Sequence, residues 1–278
     1  MFVALLVAAA GVVALWLRGP KEPVYQGKKL TELIREGKEY NPDREQRDPA
    51  RATIKATGTN ALPYLLSEFT RPESRWSSSI LQLARAFNLR RISYTPEEDR
   101  ALLAAGGIYM LGSNAVSAIP ILTGYLNERM RGDAAATALA GMGELTLPYL
   151  LNACASTNPL IAWNGTRGLM VMVRKTEAAI PPLIQLTLHT NFTIRFMAVT
   201  GLIQARSRLD LAIPALTNLL SDSDLRIQMK AAYVLSFFES AAKPAVPHLL
   251  FIMRGPDPKR ASWASNALHL IAPSALPR

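Results

Sequence analysis

An apolar residue followed by proline recurs at a fixed interval in a chain whose apolar positions otherwise follow helical spacing. The same interval separates each step from the next, and a leucine follows each proline by two residues. Proline fits the first turn of a helix, where its missing N–H has no partner to lose. Each step therefore predicts a helix start. The steps are Leu147-Pro148, Ile180-Pro181, Ile213-Pro214 and Val246-Pro247.

A second helix is predicted in each unit, because two further sets of apolar residues keep the same register. Small residues let a neighbouring helix approach closely, and leucines four residues later fill a shared core. Units of this kind cannot bury their apolar faces alone, so they stack into a solenoid. The small positions are Gly165, Ala198, Ala231 and Ala264, and the large ones are Leu169, Leu202, Leu235 and Leu268.

The repeat resembles the HEAT family, which has an apolar-Pro-x-Leu first helix, a polar turn and an alanine-rich second helix. The segments 222–226 and 191–195 resemble that family's Asp-x-x-Val-Arg turn. Asn191 departs from the pattern by replacing Asp, and Arg226 lies two residues off the register of Arg195. The resemblance implies an all-α, right-handed α-solenoid of stacked helix pairs, with the second helices lining its concave face.

The solenoid is predicted over 29–278, with strict repeats over 144–271 and irregular ones over 29–143. The upstream segment repeats the proline signature at Pro120 and Pro63 with other spacings. Leu30 to Ile34 and Ala50 to Ala56 are expected to form an atypical first pair that caps the stack. Residues 90–96 are predicted to be a polar break between two helical patterns.

The amino terminus is predicted to be an N-terminal hydrophobic helix, because residues 1–17 contain no charged side chain. At 1.5 Å per residue this helix reaches about 25 Å, slightly short of the roughly 30 Å of a bilayer core. We expect an uncleaved single-pass anchor at 1–17 with a linker at 18–28. A cleaved signal and a buried core helix are the alternatives, and the side of the membrane stays open.

The net charge of +10 is the feature that points to a class of partner. The second helices of the strict repeats contain two acids, Asp224 and Asp257, against many bases. A surface of one charge attracts ligands of the opposite sign. The alternative is that acids lie at helix starts and bases elsewhere to suit the helix dipoles, and that the turn arginines bridge neighbouring repeats. The predicted concave-face binding residues are Arg167, Arg174, Arg195, Arg226, Lys230, Lys259, Arg260 and Trp163.

Catalytic chemistry is not predicted. The three histidines have no metal-ligand spacing among themselves or with Cys154, the single cysteine, so no metal and no cofactor are expected. Some HEAT-like proteins are DNA glycosylases, and such an enzyme needs an acid in its concave cleft. The second helices offer only two acids, both at the helix starts, which argues against this activity.

The predicted function is a non-enzymatic, membrane-tethered scaffold whose concave face binds a protein partner with an acidic segment. The alternative is an electrostatic binder of nucleic acid or another polyanion through the same basic face. Nucleic acid is the weaker prediction, because Trp163 and Phe196 share one aromatic position in only two repeats. The identity of the partner, the biological process and the oligomeric state stay open.

Overall fold

The computed structural model describes residues 21–38, 41–72 and 97–276 of the chain. The predicted anchor at 1–17 and the predicted polar break at 90–96 lie outside these ranges. The chain divides into two compact units, one ending at Ala118 and the other beginning at Ile119. Each unit is described by itself.

The described part of the first unit begins with a short hairpin at 24–29, which overlaps the end of the segment that the sequence predicts to be a linker. Val24 pairs with Lys29 and Tyr25 with Lys28 in an antiparallel ladder. The connecting residues Gln26 and Gly27 both have positive φ, at 51° and 78°. Two successive positive φ values match the twist of a two-residue hairpin, and glycine adopts them without steric cost.

Four α-helices follow the hairpin among the described residues of the first unit, and the first two contact each other and contain the segments 30–34 and 50–56 that the sequence predicts to pair. The Asp43 side chain begins the second of these helices by accepting hydrogen bonds from the backbone N–H groups of Glu45 and Gln46. The helices are α1 (Leu30–Glu36), α2 (Arg44–Ala56), α3 (Leu62–Thr70) and α4 (Glu97–Leu111).

The second unit is a succession of five helix pairs within the residues described up to 276. Short 3-10 turns precede several of the first helices. The first helices are α5 (Ile119–Gly124), α7 (Leu147–Cys154), α9 (Ile180–Leu186), α11 (Leu209–Asn218) and α13 (Val246–Met253). The second helices are α6 (Gly132–Gly141), α8 (Pro159–Met172), α10 (Phe192–Gly201), α12 (Leu225–Ser236) and α14 (Pro258–Ile271).

The prediction that each repeated proline marks a helix start is confirmed for Pro148, Pro181 and Pro247, which occupy the first turn of their helices. It is wrong for Pro214, which lies inside α11. This helix begins at Leu209, and Asp210 in its first turn interacts favourably with the helix dipole. The helix therefore extends upstream of its proline.

The second helices of the last four pairs begin at a repeated cap, and the predicted position of Asp224 and Asp257 at helix starts is confirmed. The alignment of the 191–195 turn with 222–226 is wrong. The cap residue of α8, α10, α12 and α14 accepts hydrogen bonds from backbone N–H groups in the first turn, which satisfies donors that have no partner within the helix. Asn191 therefore corresponds to Asp224 and not to Asp222. The caps recur at the same interval as the proline steps, and they are Asn158, Asn191, Asp224 and Asp257.

The five second helices form a continuous row, because α8 contacts α6 and α10, and α12 contacts α10 and α14. Their small-residue positions permit this approach. A Cβ atom at Gly168 on α8 would lie 3.2 Å from the backbone oxygen of Ala136 on α6, which is tighter than most contacts of real Cβ atoms. Leu169 and the equivalent leucines of the later repeats are fully buried beneath the row.

One stretch in the described part of the chain, residues 99–127, has the length and apolar composition needed to cross a membrane. Its most apolar window is 44% buried within the protein. A core helix of a soluble protein meets the same two criteria.

Candidate functional site

A strip of alternating aromatic and cationic side chains lies where α10 meets α12. We call it the ring–cation strip. Its α12 members are separated by three or four residues, the pattern that places side chains on one face of a helix. Its members are Phe192, Phe196, Arg226, Lys230, Tyr233 and Phe237.

Arg226 is the first cation of the strip and is neutralised by an acid of its own turn. Its Nε and Nη2 atoms donate to Asp224 at 3.0 and 2.6 Å. Its guanidinium carbon lies 3.8 Å from the centroid of the Phe192 ring, which belongs to the preceding repeat. This contact joins two repeats by a cation–π interaction while 65% of the arginine side chain stays exposed.

Lys230 is the second cation and lies between two rings. Its Nζ atom is 4.9 Å from the centroid of Phe196 on α10 and 5.0 Å from that of Tyr233, one turn further along α12. No acidic side chain forms an ion pair with it among the described residues. Its charge therefore faces aromatic surface and solvent.

Tyr233 and Phe237 end the strip as an exposed aromatic pair. Their ring centroids lie 4.9 Å apart in an edge-to-face arrangement, which the ring quadrupoles favour. Tyr233 is 53% exposed and Phe237 37% exposed. Arg206 Nη2 donates to the carbonyl oxygen of Phe237 at 3.1 Å, which holds the end of α12.

Two other predicted binding residues have structural partners. Arg167 on α8 forms an ion pair with Asp133 on α6, with 3.0 Å between Nε and Oδ1. Arg195 Nη1 donates to the carbonyl oxygens of His189 and Thr190, both at 2.9 Å. Arg167 therefore bridges neighbouring repeats, whereas Arg195 ties the turn before its own helix.

The remaining predicted residues lie apart from the strip. Lys259 and Arg260 are in the first turn of α14, where Arg260 Nε lies 3.9 Å from Asp257 Oδ2. Arg174 is exposed two residues beyond α8, and Trp163 is half-buried on α8. Of the eight residues predicted from the sequence, the structure brings Arg226 and Lys230 together in the strip.

The sequence interpretation missed Phe192, Tyr233 and Phe237 as members of this surface. It compared equivalent positions of successive repeats, and these rings have no aromatic equivalents one repeat away. The signal that finds Tyr233 and Phe237 is the spacing along α12 and the residue that follows it. Arg226, Lys230, Tyr233 and Phe237 follow one another at intervals of four, three and four residues.

The electrostatics of the strip are set at its start. The hydrogen bonds from Arg226 lower the pKa of Asp224 to about 2, which keeps this carboxylate charged throughout the neutral range.

The single cysteine lies away from the strip, on α7, and burial raises the pKa of the Cys154 thiol to about 11. Cys154 is therefore a buried, unreactive thiol.

Metal-ligating side chains do not cluster in the described ranges, which contain no group of three His, Cys, Asp or Glu residues able to hold an ion.

A surface depression of about 540 Å³ lies on the first-helix side, between α11 and the turn that precedes α13. Leu209, Ile213 and Pro214 line it on α11, and Asp210 at its edge pairs with Arg208. This depression is separate from the strip.

Comparison with solved structures gives distant similarities. Two engineered proteins are each 18% identical to the chain at a TM-score of 0.38. The match to the first covers 88% of this chain and 68% of that protein, and the match to the second covers 87% of this chain and 96% of that protein. Human deoxyhypusine hydroxylase in complex with glycerol is 14% identical at a TM-score of 0.38, covering 87% of this chain and 95% of its own. At that TM-score the likeness carries no argument about function.

Comparison by sequence gives one family. No curated protein matches the chain. The family model described as HEAT repeats matches residues 180–269, which run from the start of α9 nearly to the end of α14. The chain therefore carries HEAT repeats over residues 180–269, within the stacked helix pairs that begin at Ile119.

Proposed function

We propose that the chain is a non-enzymatic protein-interaction scaffold whose partner docks, through an acidic segment, on the row of second helices. The observation that carries the proposal is the ring–cation strip. Protein interfaces are enriched in aromatic side chains and arginine, because rings supply contact area, and charged groups orient the partner. A purely structural contact between repeats does not need Tyr233 and Phe237 exposed.

The proposal assigns the second-helix row no catalytic role. Besides arginines and lysines, its ionisable groups are the capping acids Asp224 and Asp257, the Arg167-paired Asp133, and the side chains of Tyr233 and His269. The Asp224 carboxylate is held charged by Arg226. A general acid or base needs a pKa near the working pH, and an Asp held at about 2 does not supply one. A specific turnover by the purified protein would overturn this part of the proposal.

The test is binding of a fluorescein-labelled dodecapeptide that contains four glutamates and two leucines, measured by anisotropy. The control peptide carries glutamine at each glutamate position. We expect the glutamate peptide to bind at least about tenfold more tightly at low salt, because the carboxylates supply the electrostatic attraction. Equal binding of the two peptides would contradict the proposal.

Paired charge reversals locate the binding surface. Arg195→Glu with Arg226→Glu is expected to weaken the glutamate peptide about tenfold, while circular dichroism retains the helical signal. The matched control reverses Arg129 and Arg254, which are exposed and lie outside the second helices, so the net charge changes by the same amount. Equal losses in both variants would assign the binding to overall charge instead of the row.

Binding of a single-stranded polyanion is the second candidate, because the strip interleaves rings with cations as single-strand binding surfaces do. This candidate predicts that affinity for a 20-nucleotide oligothymidine falls steeply with added salt, since each neutralised phosphate releases a counterion. Oligothymidine binding that is absent at low salt would eliminate it.

Membrane tethering through residues 1–17 remains a proposal that rests on the sequence. Deletion of these residues is expected to move the protein from the membrane fraction to the soluble fraction. A reporter that is active only outside the cytoplasm, fused after Arg278, would identify the side of the membrane on which the solenoid lies. Recovery of the full chain in the soluble fraction would contradict the tether.

A further inference from the structure

Lys230 differs from three arginines of the second-helix row in having no compensating partner among the residues that the structure describes. Arg226 is neutralised by Asp224 and Arg167 by Asp133. Arg195 uses its donors on two backbone carbonyls. Lys230, by contrast, has two aromatic rings as its neighbours in the described part of the chain.

The two rings orient the ammonium group without satisfying its hydrogen-bonding capacity. A lysine ammonium has three N–H donors, and an aromatic face attracts its charge without supplying an oxygen acceptor. The ring centroids of Phe196 and Tyr233 both lie about 5 Å from the ammonium nitrogen. An incoming anion therefore meets a cation that is already positioned and gives up no internal ion pair.

Apolar surface lies next to this cation. Tyr233 and Phe237 form an edge-to-face pair, and Met229 on the same helix is 43% exposed. A ligand group that reaches the ammonium has space beside it for an apolar side chain against these residues. The chemistry complementary to this arrangement is a carboxylate next to an apolar side chain.

The same arrangement disfavours a nucleic-acid backbone. A phosphate chain carries a charge on every nucleotide and requires several uncompensated cations in sequence. Next to Lys230 along α12, Arg226 is engaged by Asp224, whose carboxylate would repel a second phosphate. An uncompensated cation beside apolar surface favours a single carboxylate of a peptide.

We propose that Lys230 is the docking point of the partner. It binds one aspartate or glutamate carboxylate, and a neighbouring apolar side chain of the partner packs on Tyr233 and Phe237. This inference rests on the proposed function and deepens it, because it names one residue among the basic side chains of the row.

Zero-length carbodiimide cross-linking tests the inference, because the reagent joins a carboxylate to a lysine amine that it contacts. The full chain, kept in solution by a non-ionic detergent, is cross-linked to the glutamate–leucine dodecapeptide, and the joined lysine is identified by mass spectrometry. We expect Lys230 to be the dominant site. Cross-links distributed evenly over Lys230, Lys243 and Lys259 would overturn the inference.

Matched variants separate this inference from the broader proposal. Lys230→Met removes the charge and retains an apolar side chain between the rings, and it is expected to raise the dissociation constant about fivefold. Lys230→Arg restores the charge and is expected to recover most of the affinity. Lys259→Met removes a charge from the same row and is expected to leave binding unchanged.

The outcomes distinguish the two claims. Equal losses in Lys230→Met and Lys259→Met would overturn the assignment of Lys230, while the row would remain a surface for acidic segments. Absence of peptide binding to the unaltered chain would overturn both claims. A cooperative urea unfolding transition of Lys230→Met close to that of the unaltered chain would show that a loss of binding is not a loss of fold.

Discussion

Two junctions in the same row of second helices use their surface positions differently. Where α6 meets α8, the helices approach through small residues, and the Arg167–Asp133 ion pair crosses the junction. Where α10 meets α12, four aromatic rings and two cations occupy the surface, and the rings of Tyr233 and Phe237 are exposed. The first junction is closed by partners within the chain, whereas the second offers uncompensated charge and apolar area.

The comparison shows that the same repeat can close one helix junction by internal contacts and leave side chains at another junction exposed to a partner. The buried apolar positions are the same in both junctions, since Leu169 and Leu235 are each fully buried. The side chains that differ lie on the outer stripe of the helix, where the repeat imposes no residue type. Stability should therefore depend on the α6–α8 junction and its surroundings, and binding on the α10–α12 junction.

The largest expected effect on the free energy of unfolding is at α8, beside the α6–α8 junction. A Cβ atom at Gly165 would lie 2.7 Å from the backbone nitrogen of Cys154 and 2.8 Å from Ala153 Cβ. Gly165→Leu therefore forces α8 away from α7 and is expected to lower the free energy of unfolding by about 3 kcal/mol in urea titrations.

The matched control for this change is Gly124→Ala, since no atom lies within 4 Å of its added Cβ position and its helical φ suits alanine. It is expected to be neutral or to stabilise by up to about 1 kcal/mol. A similar loss in both variants would contradict the account of close packing at Gly165.

The next effect concerns a buried polar contact in the closed region. Asn164 is 1% exposed, and its Nδ2 donates to the carbonyl oxygen of Leu126 at 2.8 Å. Asn164→Ala leaves that buried acceptor without a donor and is expected to destabilise by about 2 kcal/mol. Asn152→Ala, at an exposed position on α7, is the control and should change stability by less than about 0.5 kcal/mol.

The sequence predicts the repeat better than it predicts the surface. The repeated prolines and small residues identify the helix pairs, because buried positions recur with the period of the fold. Pro214 shows the limit, since a helix that begins favourably at Leu209 and Asp210 accepts a proline in its interior. The hairpin at 24–29 is missed because two-residue strands are too short to show alternation.

The site is predicted only in part, for a physical reason. Charge is visible in composition, so Arg226 and Lys230 are found, but whether a cation is neutralised depends on contacts between elements. Asp133 and Arg167 belong to different repeats, yet their side-chain atoms lie 3.0 Å apart in space. No pattern within one repeat reveals that pair, nor the contact of Lys230 with the ring of the preceding repeat.

A smaller effect on stability is expected in the strip. Lys230→Met loses a cation–π contact and keeps its apolar stem, so the free energy of unfolding should fall by about 0.5 kcal/mol or less. The same variant should lose peptide affinity, which separates the role of Lys230 in binding from any role in stability. A loss of stability comparable to that of Asn164→Ala would make the strip a packing element and would contradict the comparison.

The smallest effect is the acid response of Asp224. Its pKa is lowered to about 2 in the folded chain, so its contribution to stability is complete above its ordinary pKa near 4. That contribution is lost as the pH falls towards 2. Asp224→Asn keeps the helix cap and should be slightly less stable than the unaltered chain at pH 7, with the two urea midpoints converging near pH 2.

The most direct test of the account is a nuclear magnetic resonance titration of the full chain with the glutamate–leucine dodecapeptide, following backbone amide shifts. The account predicts shifts concentrated at 192–196 on α10 and 226–237 on α12, with the amides of α6 and the first helices unmoved. Shifts centred on the first helices, or spread evenly over exposed basic residues, would contradict the claim that the α10–α12 junction is the docking surface.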